Sequence, residues 1–128
     1  MTRYLTKADI SAIIDATLPP YVTMRDIGQL HAALLRPRTT AFGDDAYPDP
    51  WQKSAALMQS ILIGHPLSDG NKRLAWTSAK VFLRLNGQKV GSPDQDAAYD
   101  LVIAVTTGDL VDVPEIAERL RRLMPTAE

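Results

Sequence analysis

Apolar residues recur at intervals of three and four along most of this 128-residue chain, which is the spacing of one face of an α-helix. Glycine and proline separate the periodic segments. The pattern predicts helices over residues 6–18, 26–35, 51–64, 70–85, 94–106 and 113–124. A very short strand at residues 89–90 is the one β element that the pattern would allow outside the loops. We therefore predict an all-α fold: a compact helical bundle that forms a single domain over residues 1–128.

Residues that favour helix ends lie at the borders of these segments. Thr6 and Asp26 are placed to cap the first two helices, and Pro19 follows the first. Asn86-Gly87 gives the fourth helix a C-terminal stop. Because the fourth helix is apolar almost all round, we expect it to be central and buried.

The stretch between the second and third helices has a different composition. Residues 36–50 read RPRTTAFGDDAYPDP, with three prolines, one glycine and three aspartates. This composition predicts a loop or a short hairpin-like flap around Gly43-Asp44. A connection of this length in a compact domain is usually functional, although a plain connector remains an open alternative.

Composition and charge exclude several classes of protein. The chain has no cysteine, which excludes disulfides, thiolate catalysis and cysteine-based zinc sites. No apolar run reaches the roughly 20 residues of a membrane span, and the first residues do not form a signal peptide. A net charge of -1, with no basic stripe, gives no reason to expect direct DNA binding. We expect a soluble, cytoplasmic protein without a membrane partner.

Residues 65–73, which read HPLSDGNKR, concentrate the groups that handle a phosphate ester. Proline at 66 and glycine at 70 oppose a continuous helix, so we expect a loop of about five residues and a new helix from Gly70-Asn71. The N-terminus of that helix would attract an anion, and Lys72 and Arg73 would add full positive charges. Two cations in the first turn are unfavourable there unless an anion compensates them.

The remaining polar residues of this segment have both a catalytic and a structural interpretation. Asp69 is a candidate ligand for Mg²⁺, although an aspartate at a helix start is more often a cap. His65 is a candidate general base, because imidazole exchanges protons near neutral pH, yet a lone loop histidine is more often structural. It is the combination of residues that favours a catalytic site.

At these residues the sequence resembles the Fic/Doc superfamily, whose signature runs HPFx(D/E)GN(G/K)R. The resemblance to the Doc (death-on-curing) branch also includes LHAALLRPRTTAFGDDAYPD before the motif and VFLRLNGQKV after it. It extends over nearly the whole chain and is best between residues 28 and 90. Leu67 replaces the usual phenylalanine, and we expect it to be a packing anchor.

The resemblance implies a role for each motif residue. His65 would deprotonate a target hydroxyl, Asp69 would bind Mg²⁺, and the residues that would bind ATP are Gly70, Asn71, Lys72 and Arg73. Typical Fic AMP-transferases carry glycine at the position of Lys72. They carry a second arginine where this chain has Trp76, so both positions resemble the Doc branch.

The resemblance also implies an activity and two partners. A Doc-type toxin of a type II toxin–antitoxin module would transfer the γ-phosphate of ATP to a threonine or serine of elongation factor Tu and so block translation. The flap, residues 38–47, would dock the target by strand-like pairing. A Phd-type antitoxin would inhibit in trans, because no (S/T)xxxE(G/N) motif precedes Glu115, Glu118 or Glu128. An AMP-transferase and a catalytically silent antitoxin-binding module remain alternatives.

Overall fold

The computed structural model describes residues 1–124 and confirms the all-α fold. Glu128, included in the search for an inhibitory motif, lies outside the described residues, and the 1–128 domain boundary stays a prediction. No helix within residues 1–124 is long and apolar enough to cross a membrane. Within that range the α-helices are α1 (Lys7–Thr17), α2 (Ile27–Leu35), α3 (Pro50–Gly64), α4 (Asn71–Leu85), α5 (Gln95–Thr106) and α6 (Val113–Leu123).

Side-chain caps fix the starts of five of these helices. At α1 the hydroxyl of Thr6 accepts a hydrogen bond from the Asp9 N–H at 3.1 Å, and the Asp9 carboxylate accepts one from the Thr6 N–H at 2.9 Å. This reciprocal pair satisfies two backbone donors that the helix itself leaves unpaired. Four further helices, α2, α3, α5 and α6, start with an aspartate that accepts from the N–H three residues on: Asp26, Asp49, Asp94 and Asp112.

The central helix is α3, which corrects the prediction that the fourth helix holds this place. Helix α3 packs against α2, α4, α5 and α6, whereas α4 packs against α3 and α1. Helix α4 buries one side, on which Leu74, Ala75 and Ala79 are fully covered, and it exposes Lys72 and Arg73 on another.

Polar residues made α3 look less buried in the sequence than it is. Ser54 is completely buried, and its hydroxyl donates to the Ala79 carbonyl at 3.0 Å. The amide of Gln59 donates to the Val111 carbonyl at 2.8 Å. Because hydrogen bonds compensate the burial of these groups, α3 can be central without being apolar all round.

The predicted flap takes the form of a small hairpin between α2 and α3. A 3-10 turn, Arg36–Arg38, extends α2, and strands β1 (Thr40–Ala41) and β2 (Asp44–Asp45) follow as an antiparallel pair. The two turn residues, Phe42 and Gly43, have positive φ angles of 55° and 86°. That conformation matches the tight two-residue turns that join twisted strands. Residues 89–90 do not form the strand that the sequence would allow.

Candidate active site

The loop between α3 and α4 begins at His65, which ends α3 in a left-handed conformation with φ of 48°. The Nδ1 atom of His65 lies 2.7 Å from the Leu62 carbonyl oxygen. Because a carbonyl can only accept, Nδ1 carries the hydrogen in the neutral ring. The Nε2 atom of the exposed imidazole is therefore left as a proton acceptor, as a general base requires.

Asn71 holds the shape of this loop from its far end. Its side-chain oxygen accepts from the Leu67 N–H at 3.0 Å, and its amide group donates to the Leu67 carbonyl at 3.0 Å. Both residues are buried, with Leu67 only 1% exposed, so Leu67 does pack as an anchor. The Asn71 side chain is thus committed to the loop, and what it offers a ligand is its backbone N–H.

A second segment of the chain fastens the loop from outside. Met24 forms an isolated antiparallel bridge with Leu67. The N–H groups of Arg25 and Asp26 donate to the Pro66 carbonyl at 2.7 and 3.0 Å, and the Ser68 N–H donates to the Thr23 carbonyl at 2.9 Å. This support was not predicted from the sequence. It is a pairing between segments about 40 residues apart, and nothing in either segment alone indicates it.

Helix α4 differs from the other five α-helices of residues 1–124 because no side chain caps its N-terminus. Its N-cap residue is Gly70, whose own N–H donates to the Asp69 carboxylate at 2.8 Å. The N–H groups of Asn71, Lys72 and Arg73 have no hydrogen-bond acceptor within residues 1–124. Unpaired N–H groups at a helix start are a site for an anion.

Gly70 is required here by its conformation and by its surroundings. Its φ is 80°, in the left-handed region, and a Cβ atom would lie 2.6 Å from Cδ2 of Leu18. The glycine therefore lets the loop turn into α4 while it stays in contact with Leu18, the residue that follows α1.

The charges around the loop favour an anionic ligand. Lys72 and Arg73 are both exposed, and neither lies within 4.0 Å of a carboxylate of residues 1–124. Arg73 makes one long contact, from Nη1 to the Thr17 carbonyl at 3.5 Å. Asp69 is the one carboxylate beside them, so the local charge is positive on balance.

All six predicted site residues line one pocket of about 410 Å³. A cavity of this size holds a small-molecule ligand or a large part of one. The opposite wall was not predicted from the sequence, and it comes from the end of α1 and the segment that follows it. The residues of that wall are Leu18, Pro19, Tyr21 and Val22. Ser68, from the loop, also lines the pocket.

The surroundings of Asp69 fit a magnesium ion that a nucleotide brings with it. Within residues 1–124 no group of three acidic or histidine side chains could hold a metal by itself. Mg²⁺ usually keeps several waters and binds through one or two carboxylates together with substrate phosphates. The exposed carboxylate of Asp69, next to an anion site, matches that donor set.

Comparison with known proteins agrees with this geometry. The family model described as Fic/DOC family matches residues 4–83, which include the whole motif and α1 to α3. The chain belongs to the Fic/DOC family. It is 41% identical over 129 residues to the Toxin Doc of Mycolicibacterium smegmatis, covering 100% of this chain and 98% of the relative. It is 32% identical to the Protein kinase doc of Escherichia phage P1, covering 98% and 99%.

These relatives confirm the branch of the Fic/DOC family that the sequence predicted. Both are Doc proteins, and both align over nearly their full length with this chain. Lys72 and Trp76, the positions on which that prediction depended, are neighbours on α4. Lys72 lines the active-site pocket, whereas Trp76 is half-buried and lines the adjoining groove between α4 and α5.

Proposed function

We propose that this protein is a Doc-type toxin that transfers the γ-phosphate of ATP to a serine or threonine hydroxyl of a translation factor. The names of two relatives support the two parts of this proposal. The Mycolicibacterium smegmatis relative is a toxin, and the phage P1 relative is a protein kinase. Both align with this chain from end to end, so the whole domain is available for the same activity.

The observation that carries the proposal is the shared pocket of a proton acceptor and an anion site. Nε2 of His65 is left without the hydrogen that Nδ1 holds, and the uncapped start of α4 lines the same cavity. Phosphoryl transfer depends mainly on positioning and on electrostatic stabilisation. A base and a set of fixed donors on one rigid loop meet both requirements.

The reaction follows from what each residue can do. Nε2 of His65 takes the proton of the target hydroxyl while the hydroxyl oxygen forms a bond to the γ-phosphorus of ATP. The bond from that phosphorus to the bridging oxygen breaks, and ADP leaves with the electron pair. The N–H groups of Asn71, Lys72 and Arg73, with the two cationic side chains, hold the phosphate oxygens as charge shifts between them.

Asp69 is the residue that would hold Mg²⁺. When bound, the ion would neutralise part of the triphosphate charge, as it does in other phosphotransferases. The hydrogen bond from the Gly70 N–H to Asp69 orients the carboxylate beside the start of α4.

Lys72 is the reason to prefer γ-phosphate transfer to AMP transfer. A glycine at this position would leave room for phosphates beside the helix start, whereas the lysine fills that room and adds a charge. The missing second arginine, replaced by Trp76, removes a group that would hold a diphosphate leaving group. AMP transfer by the same residues is the competing outcome of the test below.

The proposed biological setting is inhibition of translation in the cytoplasm, with elongation factor Tu as the target. An antitoxin of the Phd type would neutralise the toxin in trans, since the sequence carries no inhibitory motif of its own. An intact His65 and Asp69 argue against a silent binding module, because such a module would not need either group.

The test uses the purified protein, Mg²⁺ and a bacterial translation extract, with γ-labelled ATP in one reaction and α-labelled ATP in another. We expect one protein band labelled from γ-labelled ATP alone, and no band with the His65→Ala variant. A band labelled from α-labelled ATP would establish AMP transfer instead. No band from either label would contradict the proposal.

A further inference from the structure

Lys53 is a buried cation that the proposed reaction does not use. It lies in the second turn of α3, is 2% exposed, and is among the largest fully buried side chains of residues 1–124. Twelve residues separate it from His65 along the same helix, which corresponds to a rise of about 18 Å. It therefore lies well away from the phosphate end of the active-site pocket.

The ammonium group of Lys53 connects α3 to the flap. Nζ donates to Oδ2 of Asp45 at 3.1 Å and to the carbonyl oxygen of Tyr47. Asp45 belongs to β2, and its side chain is half-exposed. Within residues 1–124 this is the one side-chain hydrogen bond that reaches either strand of the hairpin from outside it.

Packing alone does not require a lysine at this position. A buried ammonium is costly unless it is hydrogen-bonded, and a methionine of similar length would fill the same space without that cost. What a lysine adds is two directed hydrogen bonds to the flap. These two bonds are what a lysine provides here that an apolar side chain would not.

The base of the flap is fixed on its other side as well. The Thr39 N–H donates to the Arg36 carbonyl at 3.0 Å, and the Ala46 N–H donates to the Thr39 carbonyl at 2.8 Å. The guanidinium of Arg36 donates to the Tyr47 hydroxyl at 3.1 Å and to the Ser60 hydroxyl at 3.0 Å. Hydrogen bonds to α3 and to the 3-10 turn thus hold the base of the hairpin, and Lys53 contacts its second strand.

The edges of the hairpin are suited to an extended polypeptide. Thr40 lies opposite Asp45, and the next pair along the ladder, Thr39 and Ala46, is joined by a hydrogen bond. Because hydrogen-bonded and non-bonded pairs alternate in an antiparallel ladder, the backbone groups of Thr40 and Asp45 point outward. None of these groups bonds to a residue of 1–124 outside the hairpin. Unpaired edge groups of this kind bind another chain by strand addition.

We propose that Lys53 is a positioning residue for the protein substrate: by holding Asp45 and Tyr47 it fixes the hairpin edge against which an extended substrate segment pairs. The inference rests on the proposed function, because it needs a substrate that is a protein. The substrate then binds the protein molecules whose flap is ordered. The apparent affinity for the protein substrate therefore falls in proportion to the fraction of molecules with an ordered flap.

The test compares wild-type protein with Lys53→Met, which keeps the apolar volume and removes both hydrogen bonds. Hydrogen exchange at the Ala46 amide reports the order of the flap directly, and steady-state transfer from ATP to purified elongation factor Tu reports docking. If the ordered fraction falls to about a tenth, the KM for the protein rises about tenfold, while kcat and the KM for ATP are unchanged. Exchange at Ala46 follows the open fraction of the flap, which rises from a small value to about nine-tenths, so it should accelerate by at least about tenfold, with the amides of α4 unaffected.

Two further variants separate positioning from general damage. Asp45→Ala removes the same contact from the side of the flap, and we expect it to change Ala46 exchange and the protein KM in the same direction. Asp44→Ala is the matched control, because Asp44 is exposed on the same strand and forms no ion pair within residues 1–124. It should leave the rate of Ala46 exchange unchanged.

Each other outcome contradicts a stated part of the account. Unchanged Ala46 exchange and unchanged protein KM in Lys53→Met and Asp45→Ala would overturn the positioning role. A fall in kcat with a rise in both KM values would make Lys53 a general structural residue. Protection of the Thr40 amide by rising concentrations of the protein alone would place a second copy on the edge. If wild-type protein transfers no phosphate, the proposed function fails and the docking role with it, while Ala46 exchange still measures the Lys53 contact.

Discussion

Replacing Asn71 by alanine should destabilise the protein much more than the same replacement of a surface asparagine would. In the structure the Asn71 side chain pairs with both backbone groups of Leu67, each at 3.0 Å, and Asn71 is only 7% exposed. Asn71→Ala removes both hydrogen bonds and leaves the N–H and the carbonyl of Leu67 without a partner.

The magnitude follows from burial. A buried backbone group that loses its partner costs about 1–3 kcal/mol. The neighbouring Ser68 and Asp69 are exposed, so water can approach one side of the loop, and the lower part of that range applies. We expect a loss of about 2–3 kcal/mol in the free energy of unfolding, or a fall in Tm of roughly 8–12 °C for a chain of this size.

Asn86 provides a matched control for this measurement. Its side chain makes the same two-point contact with the backbone of the exposed Arg3, at 2.8 Å for each bond, and its amide group also donates to the Phe82 carbonyl at 2.8 Å. Because water can replace the two bonds to Arg3, Asn86→Ala should cost only about 1 kcal/mol, less than Asn71→Ala. Urea unfolding of both variants, followed by far-UV circular dichroism, gives the comparison. Equal losses for the two variants, or a larger loss for Asn86→Ala, would refute the reasoning.

Three further variants test other parts of the structure. Gly70→Ala forces a side chain into the left-handed region and against Leu18, so thermal unfolding should show a loss of about 1–2 kcal/mol, and unchanged stability would contradict the left-handed turn. Arg73→Gln removes a charge that we propose holds an ATP phosphate, so ATP titrations should show a KM raised about 10- to 100-fold, with Tm unchanged because Arg73 is exposed. Phe42→Asn suits the positive φ better and removes no burial, so unfolding should show no loss and a gain of up to about 1 kcal/mol; a clear loss would mean that Phe42 packs against the protein.

Local signals in the sequence predicted the helices because their causes are local. Thr6 and Asp9 lie three residues apart in the chain and form hydrogen bonds with each other, so a few residues of sequence are enough to predict the start of α1. The break between α3 and α4 was predictable for the same reason. Pro66 cannot continue a helix, and Gly70 supplies the left-handed turn from which α4 starts.

The position of α3 was not predictable, because it depends on partners far along the chain. Helix α3 contains the polar residues Lys53, Ser54 and Gln59, and hydrophobic periodicity assigns such residues to a solvent-exposed face. In the fold, each is bonded to a residue of another segment and is buried. Without those partners in view, α4 appeared to be the more apolar helix.

In the candidate active site, too, features with local causes were predictable and features that depend on distant segments were not. That the motif residues line one pocket was predictable, because they are contiguous in the chain, and their roles stay predictions. The tautomer of His65, the pairing of Thr23 with Ser68, and the wall formed by Tyr21 and Val22 are products of tertiary structure. They decide what the motif can do, and the motif does not encode them locally.

The most direct test of the central claim is the mass of purified elongation factor Tu after incubation with this protein, ATP and Mg²⁺. The account predicts a single added phosphate on a serine or threonine, and no added mass with the His65→Ala variant. An added AMP group would contradict the transfer of the γ-phosphate. An unmodified factor, under conditions in which wild-type protein still labels another protein of the extract, would contradict the proposed target.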